Sequence, residues 1–247
     1  MCFHYSLTKK AKALKARFNI EELDDEELAE YLHFHANGFA HPKMPVITHD
    51  EPHRLQFFTW GLIPSWNKDQ ASAKKIWNTT LNARSETIFE KPSFSYAAKH
   101  KRCLVLADGF FEFHTEGKKK QPHFIYLHEH APFAFGGLWE TWTDKQQGET
   151  IHTFSIVTTR ANELVANIHN EPTHSLDNRM PLILSPQNEP LWLSAGDESS
   201  VQALAQSYPS QAMQHHTVSH LITSRKENTN VAAVQMPDTS HNMGSLF

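Results

Sequence analysis

Cys103-Leu104-Val105-Leu106-Ala107-Asp108-Gly109-Phe110-Phe111-Glu112-Phe113 is apolar but for Asp108, Gly109 and Glu112. It reads as a buried strand ending in a lone carboxylate among aromatic rings. Working outward, the runs Leu55 to Leu62, His123 to Leu127, Phe133 to Trp139, His152 to Thr158 and Pro181 to Leu184 share its aromatic and β-branched character and also predict strands. Lys118 to Gln121 reads as a charged turn between two of them. Helical spacing predicts helices over Leu7 to Arg17 with Thr8 as cap, Ile20 to Phe34, Ala161 to His169 and Ser199 to Ser207, after a short first strand. Strands with sparse helices between them do not fit a regular βαβ alternation. The expectation is an α+β fold, a mainly antiparallel barrel-like β core with flanking helices.

The 247 residues suffice for one sizeable core, and 39% apolar content with Phe 16 and Trp 6 supplies it. Repeats are absent, and no stretch splits the chain into two domains. Nothing approaches the run of about 18 apolar residues that spans a bilayer, and Met1-Cys2-Phe3-His4-Tyr5 lacks the basic-then-apolar order of a signal peptide. No membrane and a cytoplasmic location are expected. With only Cys2 and Cys103, no disulfide framework or zinc knuckle is expected. His123, His128, His130, His215, His216 and His220 cluster without Cys or carboxylate ligand spacing, so no metal is expected. A net charge of −4 means that any nucleic-acid site must be a local patch.

Cys2 follows the initiator Met1. Loss of Met1 would expose an α-amine beside a thiol, with ordinary pKa values of about 8 and 8.5. Such a 1,2-aminothiol condenses with an aldehyde to an imine, and its sulfur then closes a thiazolidine ring. It could equally serve as an N-terminal nucleophile in amide hydrolysis, and its position also fits an ordinary cysteine behind a retained Met.

Other constellations carry compatible chemistry. In Asn82-Ala83-Arg84-Ser85-Glu86-Thr87, Asn82 can accept protons from an amine and Arg84 can grip a phosphate, although a capped turn with a surface ion pair fits too. Burial of Glu112 would make it a usable proton donor or acceptor, whereas strand alternation alone would point it outward. His169, at the end of Ala161 to His169, could shuttle protons near a bound anion or simply meet the terminal carbonyls of its helix. Trp60, Trp66 and Trp77 with Arg84 and Arg179 would suit a stacking and phosphate-gripping strip for single-stranded nucleic acid, although core tryptophans are common.

Together and in order, Cys2, Trp60-Gly61-Leu62-Ile63-Pro64-Ser65-Trp66, Asn82 to Thr87, Ala107 to Glu112, Thr158-Thr159-Arg160-Ala161-Asn162, Ile168-His169 and Arg179-Met180-Pro181 closely resemble the SRAP (SOS response-associated peptidase) family. The resemblance implies a single SRAP domain over 2–236 with a flexible tail over 237–247, removal of Met1, and covalent capture of the ring-opened aldehyde of an abasic site in single-stranded DNA as a thiazolidine. Cys2 matches the crosslinking nucleophile, Asn82 the residue that positions its amine, and Glu112 the carboxylate that moves protons. His169 matches the histidine that assists sugar ring opening and crosslink release. Arg84 and Thr158 match DNA-contacting positions, and Trp60, Trp66 and Arg179 are expected to bind DNA beside them.

No cofactor is implied, and the expected state is a monomer, associated with the nucleoid when bound to DNA. The alternatives are an autoproteolytic N-terminal cysteine peptidase and a non-covalent reader of damaged or modified single-stranded DNA. The sequence departs from the family where Phe3-His4 replaces Gly-Arg, where Phe113 replaces a common Trp, and where ten positions separate His169 from Arg179. An insertion, Glu171 to Asp177, fits that gap and contains a second candidate, His174; the context Ile168-His169-Asn170 favours His169.

Overall fold

Cys103 to Phe113 is two strands, Arg102–Ala107 and Gly109–Glu116, separated at Asp108. The Asp108 carboxylate accepts hydrogen bonds from Ser6 Oγ, from Thr8 N at 2.7 Å and from Thr8 Oγ1 at 2.6 Å. The side chain that interrupts the apolar run therefore pins the start of the chain where the backbone passes from one sheet to the other. In this computed structural model residues 2–170 and 178–239 are described.

The strands are β1 His4–Leu7, β2 His33–Asn37, β3 Lys43–Thr48, β4 Gln56–Trp60, β5 Asn82–Arg84, β6 Arg102–Ala107, β7 Gly109–Glu116, β8 Lys119–Leu127, β9 Phe133–Thr143, β10 Thr150–Arg160, β11 Arg179–Pro181, β12 Ile183–Leu184 and β13 Met213–Thr217. One sheet has the order β13-β8-β7-β1-β2. The other runs β11-β10-β4-β3-β6-β9-β12, with β5 also on β10. Only the pairings of β10 with β4 and β5 are parallel. The principal core draws on both sheets, with Tyr5, Trp60, Phe110, Phe135 and Phe154 all fully buried. The architecture is the α+β, mainly antiparallel, barrel-like arrangement that the strand pattern predicts.

The helices are α1 Ala11–Phe18, α2 Asp25–Ala29, α3 Gln70–Trp77, α4 Ser95–His100, α5 Glu163–Ile168, α6 Asn188–Ser194 and α7 Glu198–Leu204. Among the described residues no helix is long and apolar enough to cross a membrane.

Several local expectations are corrected. Leu7 closes β1, and Thr8 is spent on Asp108 rather than on capping, so the first helix begins at Ala11. Ile20 to Phe34 is helical only over Asp25–Ala29, because the segment from His33 is drawn into antiparallel pairing with β1 and Tyr31 stacks on Phe57 at 3.9 Å. The expected turn at Lys118 to Gln121 is tighter, since Gly117 at φ 59° reverses the chain and β8 starts at Lys119. At the expected start of the tail, Pro237 bridges Val218 and Asp238 N donates to Thr217 O at 2.8 Å. Met1, Glu171 to Asp177 with His174, and residues 240–247 lie outside the described residues.

Gly61 ends β4 with φ 108°, and a Cβ there would stand 2.3 Å from Trp77 Cδ1. Both the left-handed backbone and the indole oppose a side chain. Gly61→Ala is expected to cost about 2 kcal/mol and lower the melting temperature by about 6 °C. An unchanged melting temperature in calorimetry would contradict this reading of the turn.

Candidate active site

Cys2 is fully buried just ahead of β1, and its Sγ–H is directed at His4 O, 3.7 Å away. β1 lies antiparallel to β7, with Tyr5 opposite Phe110, so the strand that follows Cys2 and the Glu112 strand are neighbours. On the far side, β5 runs parallel to β10 with Asn82 in register with Ile156. From there Asn82 Nδ2 donates to Cys2 O at 2.8 Å. Asn82 Oδ1 is buried and has no hydrogen-bond partner among the described residues. Three strands from distant parts of the sequence thus fix one backbone unit, and they leave an acceptor beside it.

Glu112 is buried, contrary to what alternation alone would give, because β7 is covered on both faces at this point. His169 caps the C-terminus of α5 and its Nδ1 stands 2.9 Å from Glu112 Oε2. α5 itself is started by Asn162, whose side chain accepts from Val165 N, so a cap at one end delivers the histidine at the other. Burial, and after it the negative charge of Glu112, push the Cys2 thiol far above its ordinary range. Glu112 also acts electrostatically on His4, opposing the burial that holds this imidazole down at about 4. A thiol in this setting is protonated at neutral pH.

Of the residues singled out in the sequence, Cys2, Asn82, Glu112 and His169 come together, and the stacking strip does not. Trp60 is fully buried, its Nε1 donating to Leu81 O at 2.9 Å, so it is a core residue with no face for a base. Thr158 is fully buried with its hydroxyl directed at Ala83 O. Arg179 is 3% exposed: its Nε donates to Thr158 Oγ1 at 3.1 Å and its Nη2 to Glu86 Oε2 at 2.7 Å. Burial acts to raise the Glu86 carboxyl, but the Arg179 contacts, together with hydrogen bonds from its own backbone N–H and from Ser85, hold that group below its usual range. Thr158 and Arg179 therefore stand in this structure as struts beneath the site, not as exposed DNA contacts. Arg84 and Trp66 do face solvent, Trp66 at 55% exposure with its Nε1 donating to Pro92 O at 3.3 Å.

Among the described residues no group of three His, Cys, Asp or Glu stands close enough to hold a metal ion. Sequence reasoning missed His35, which is hydrogen-bonded to His4 at 2.8 Å. The alternation His33-Phe34-His35 was its signal, obscured by the helical spacing that precedes it.

The chain matches the family model for SOS response associated peptidase (SRAP) over residues 1–225. It is 35% identical to the abasic site processing protein YoqW of Bacillus subtilis (strain 168), over 93% of this chain and 97% of that protein. It is 31% identical to the abasic site processing protein HMCES of Xenopus tropicalis, over 71% of this chain and 55% of that longer protein. A crystal structure of a Bacteroides thetaiotaomicron protein superposes with a TM-score of 0.87 at 33% identity, covering 96% of this chain and all of the other.

Proposed function

Because the chain belongs to the SRAP family, we propose that it is a DNA-repair protein that captures abasic sites in single-stranded DNA as a covalent thiazolidine through Cys2 after Met1 is removed. The observation that carries this reading is the contact of the buried Glu112 carboxylate with the half-buried His169 at 2.9 Å, a carboxylate whose charge also acts on the thiol of Cys2. The relatives named for abasic site processing support the choice of substrate.

The chemistry runs in three steps. His169 and Glu112 move the proton between the C1′ hydroxyl and the ring oxygen, opening the sugar to its aldehyde. The α-amine of Cys2, oriented by the spare acceptor Asn82 Oδ1, adds to C1′, and loss of water leaves an imine. Sγ then attacks C1′: the S–C bond forms, the C=N π pair moves to nitrogen, and the proton leaving sulfur is balanced by one gained at nitrogen. Run backward with the same acid and base, the sequence releases the DNA. To Arg84 and Trp66, both exposed, this reading assigns a flanking phosphate and an unpaired base. A missing base lowers the cost of bringing the sugar into the site, because nothing has to be unstacked.

The test is a denaturing gel of protein shown by mass to lack Met1, incubated with single-stranded DNA carrying one abasic site or none. A heat-stable shifted band with the lesion strand alone is the expected result. Equal, reversible retention of both strands without such a band would favour a non-covalent reader. Loss of Met1 in cells lacking the general aminopeptidase would add the self-processing peptidase step.

A further inference from the structure

His4 follows Cys2 by two residues, and the structure ties its ring to the neighbouring strand β2. Its Nδ1 lies 2.8 Å from His35 Nε2 on β2, and His35 Nδ1 lies 2.8 Å from Thr229 Oγ1. The neighbouring Asn230 Oδ1 accepts from Phe34 N at 2.8 Å and from His35 N at 3.4 Å, and Gln235 Nε2 donates to Phe34 O at 3.1 Å. His35 is thus held by both ring nitrogens and by its backbone, all but the His4 bond to the segment 229–235. The imidazole pair also packs behind the catalytic strand: His4 meets Phe113 edge-on at 5.9 Å and His35 meets Phe111 edge-on at 5.7 Å. Those two rings flank Glu112 in sequence.

We propose that His35, anchored by Thr229, is a positioning residue for the sulfur step: it fixes His4, whose carbonyl receives the Cys2 S–H. Because both nitrogens of His35 are engaged, one donates and the other accepts, so the orientation of the Thr229 hydroxyl sets the tautomer of both rings. The alignment of the thiol against the imine then depends on a segment more than two hundred residues away in sequence. This rests on the crosslinking reading, and it concerns ring closure rather than imine formation, since the backbone of Cys2 is held from the opposite side, its carbonyl accepting from Asn82 Nδ2.

The two steps separate experimentally. Borohydride reduces the imine to an amine and so reports the first step, whereas a heat-stable band formed without reductant reports the second. His35→Ala is expected to slow the heat-stable band about tenfold while the borohydride-trapped adduct forms at the wild-type rate, with Thr229→Val slowing it less. His35→Gln, which keeps a donor and an acceptor at the same reach, is expected to restore most of the rate. A His35→Ala protein that closes the ring at the wild-type rate overturns the proposal. So does a parallel fall in both steps that Gln does not rescue, because that is the signature of a merely structural role. If the wild-type protein gives no lesion-dependent band at all, the crosslinking reading itself has failed.

Discussion

Cys2→Ser is expected to abolish the heat-stable adduct with abasic DNA, lowering it by about a thousandfold or more, while leaving an adduct that borohydride can trap. Serine keeps the α-amine, so the imine still forms. What is lost is the sulfur, and a hydroxyl closes a five-membered ring with an imine far less favourably than a thiol does. The result discriminates because the second cysteine is a built-in control. Cys103 is as fully buried as Cys2, and burial raises both thiols. Only on Cys2 does the Glu112 charge act, and Cys103 lies in β6 with its Sγ 2.8 Å from where a Cβ on Gly137 would be. A heat-stable band surviving in Cys2→Ser would remove sulfur from the mechanism, since Cys103 has no route to DNA without unfolding the core. A Cys2→Ser protein that also loses the borohydride-trapped band would instead move the defect to the amine.

The site was more legible than the local structure around it, for a physical reason. The roles proposed for Cys2, Asn82, Glu112 and His169 rest on functional groups whose chemistry is fixed by residue type, so their ordered appearance could be read without knowing the fold. The DNA strip required a further fact, which side chains reach solvent, and residue type does not carry it. Thr158 lies in β10, where burial runs unbroken from Thr153 to Thr159 because other strands and the core cover both faces. Alternation, the usual guide to an exposed face, has no purchase there. Trp60 and Arg179 were likewise chosen for stacking and phosphate binding, yet an indole N–H and a guanidinium are equally apt to satisfy buried carbonyls and a carboxylate. His35 was hidden for the opposite reason. Leu23, Leu28, Tyr31 and Leu32 have helical spacing, but the pairing of His33–Asn37 with β1 outweighed local propensity and turned the segment into a strand. The strands were more legible than the helices, because most of the runs were apolar and bounded by turn residues, although Pro181 to Leu184 is divided between β11 and β12.

The same imidazole pair predicts how the protein responds to acid. Burial holds His4 down at about 4 and His35 down at about 3, with the neighbouring His4 and His33 lowering His35 further. Glu112 is the only carboxylate found to act on the pair, and it raises His4 without reversing the shift. Unfolded histidines titrate near 6.5, so above that pH both states are neutral and the pair exacts no penalty. As pH falls below 6.5 the unfolded chain binds protons that the folded chain refuses, and stability declines until the folded groups themselves titrate. One histidine held at about 4 therefore costs about 3 kcal/mol between pH 6.5 and pH 4. His123, also held at about 4 by burial and by nearby histidines, contributes in the same window, so the wild-type curve alone does not isolate the pair. The comparison that does is urea unfolding of wild type and His35→Gln from pH 7.5 to pH 4.5. The variant is expected to be less stable at pH 7.5 and to lose less stability on acidification, so that the two curves converge. Parallel curves would mean that His35 titrates alike in the folded and unfolded chains, and that the neutral, tautomer-fixed arrangement behind Cys2 is wrong.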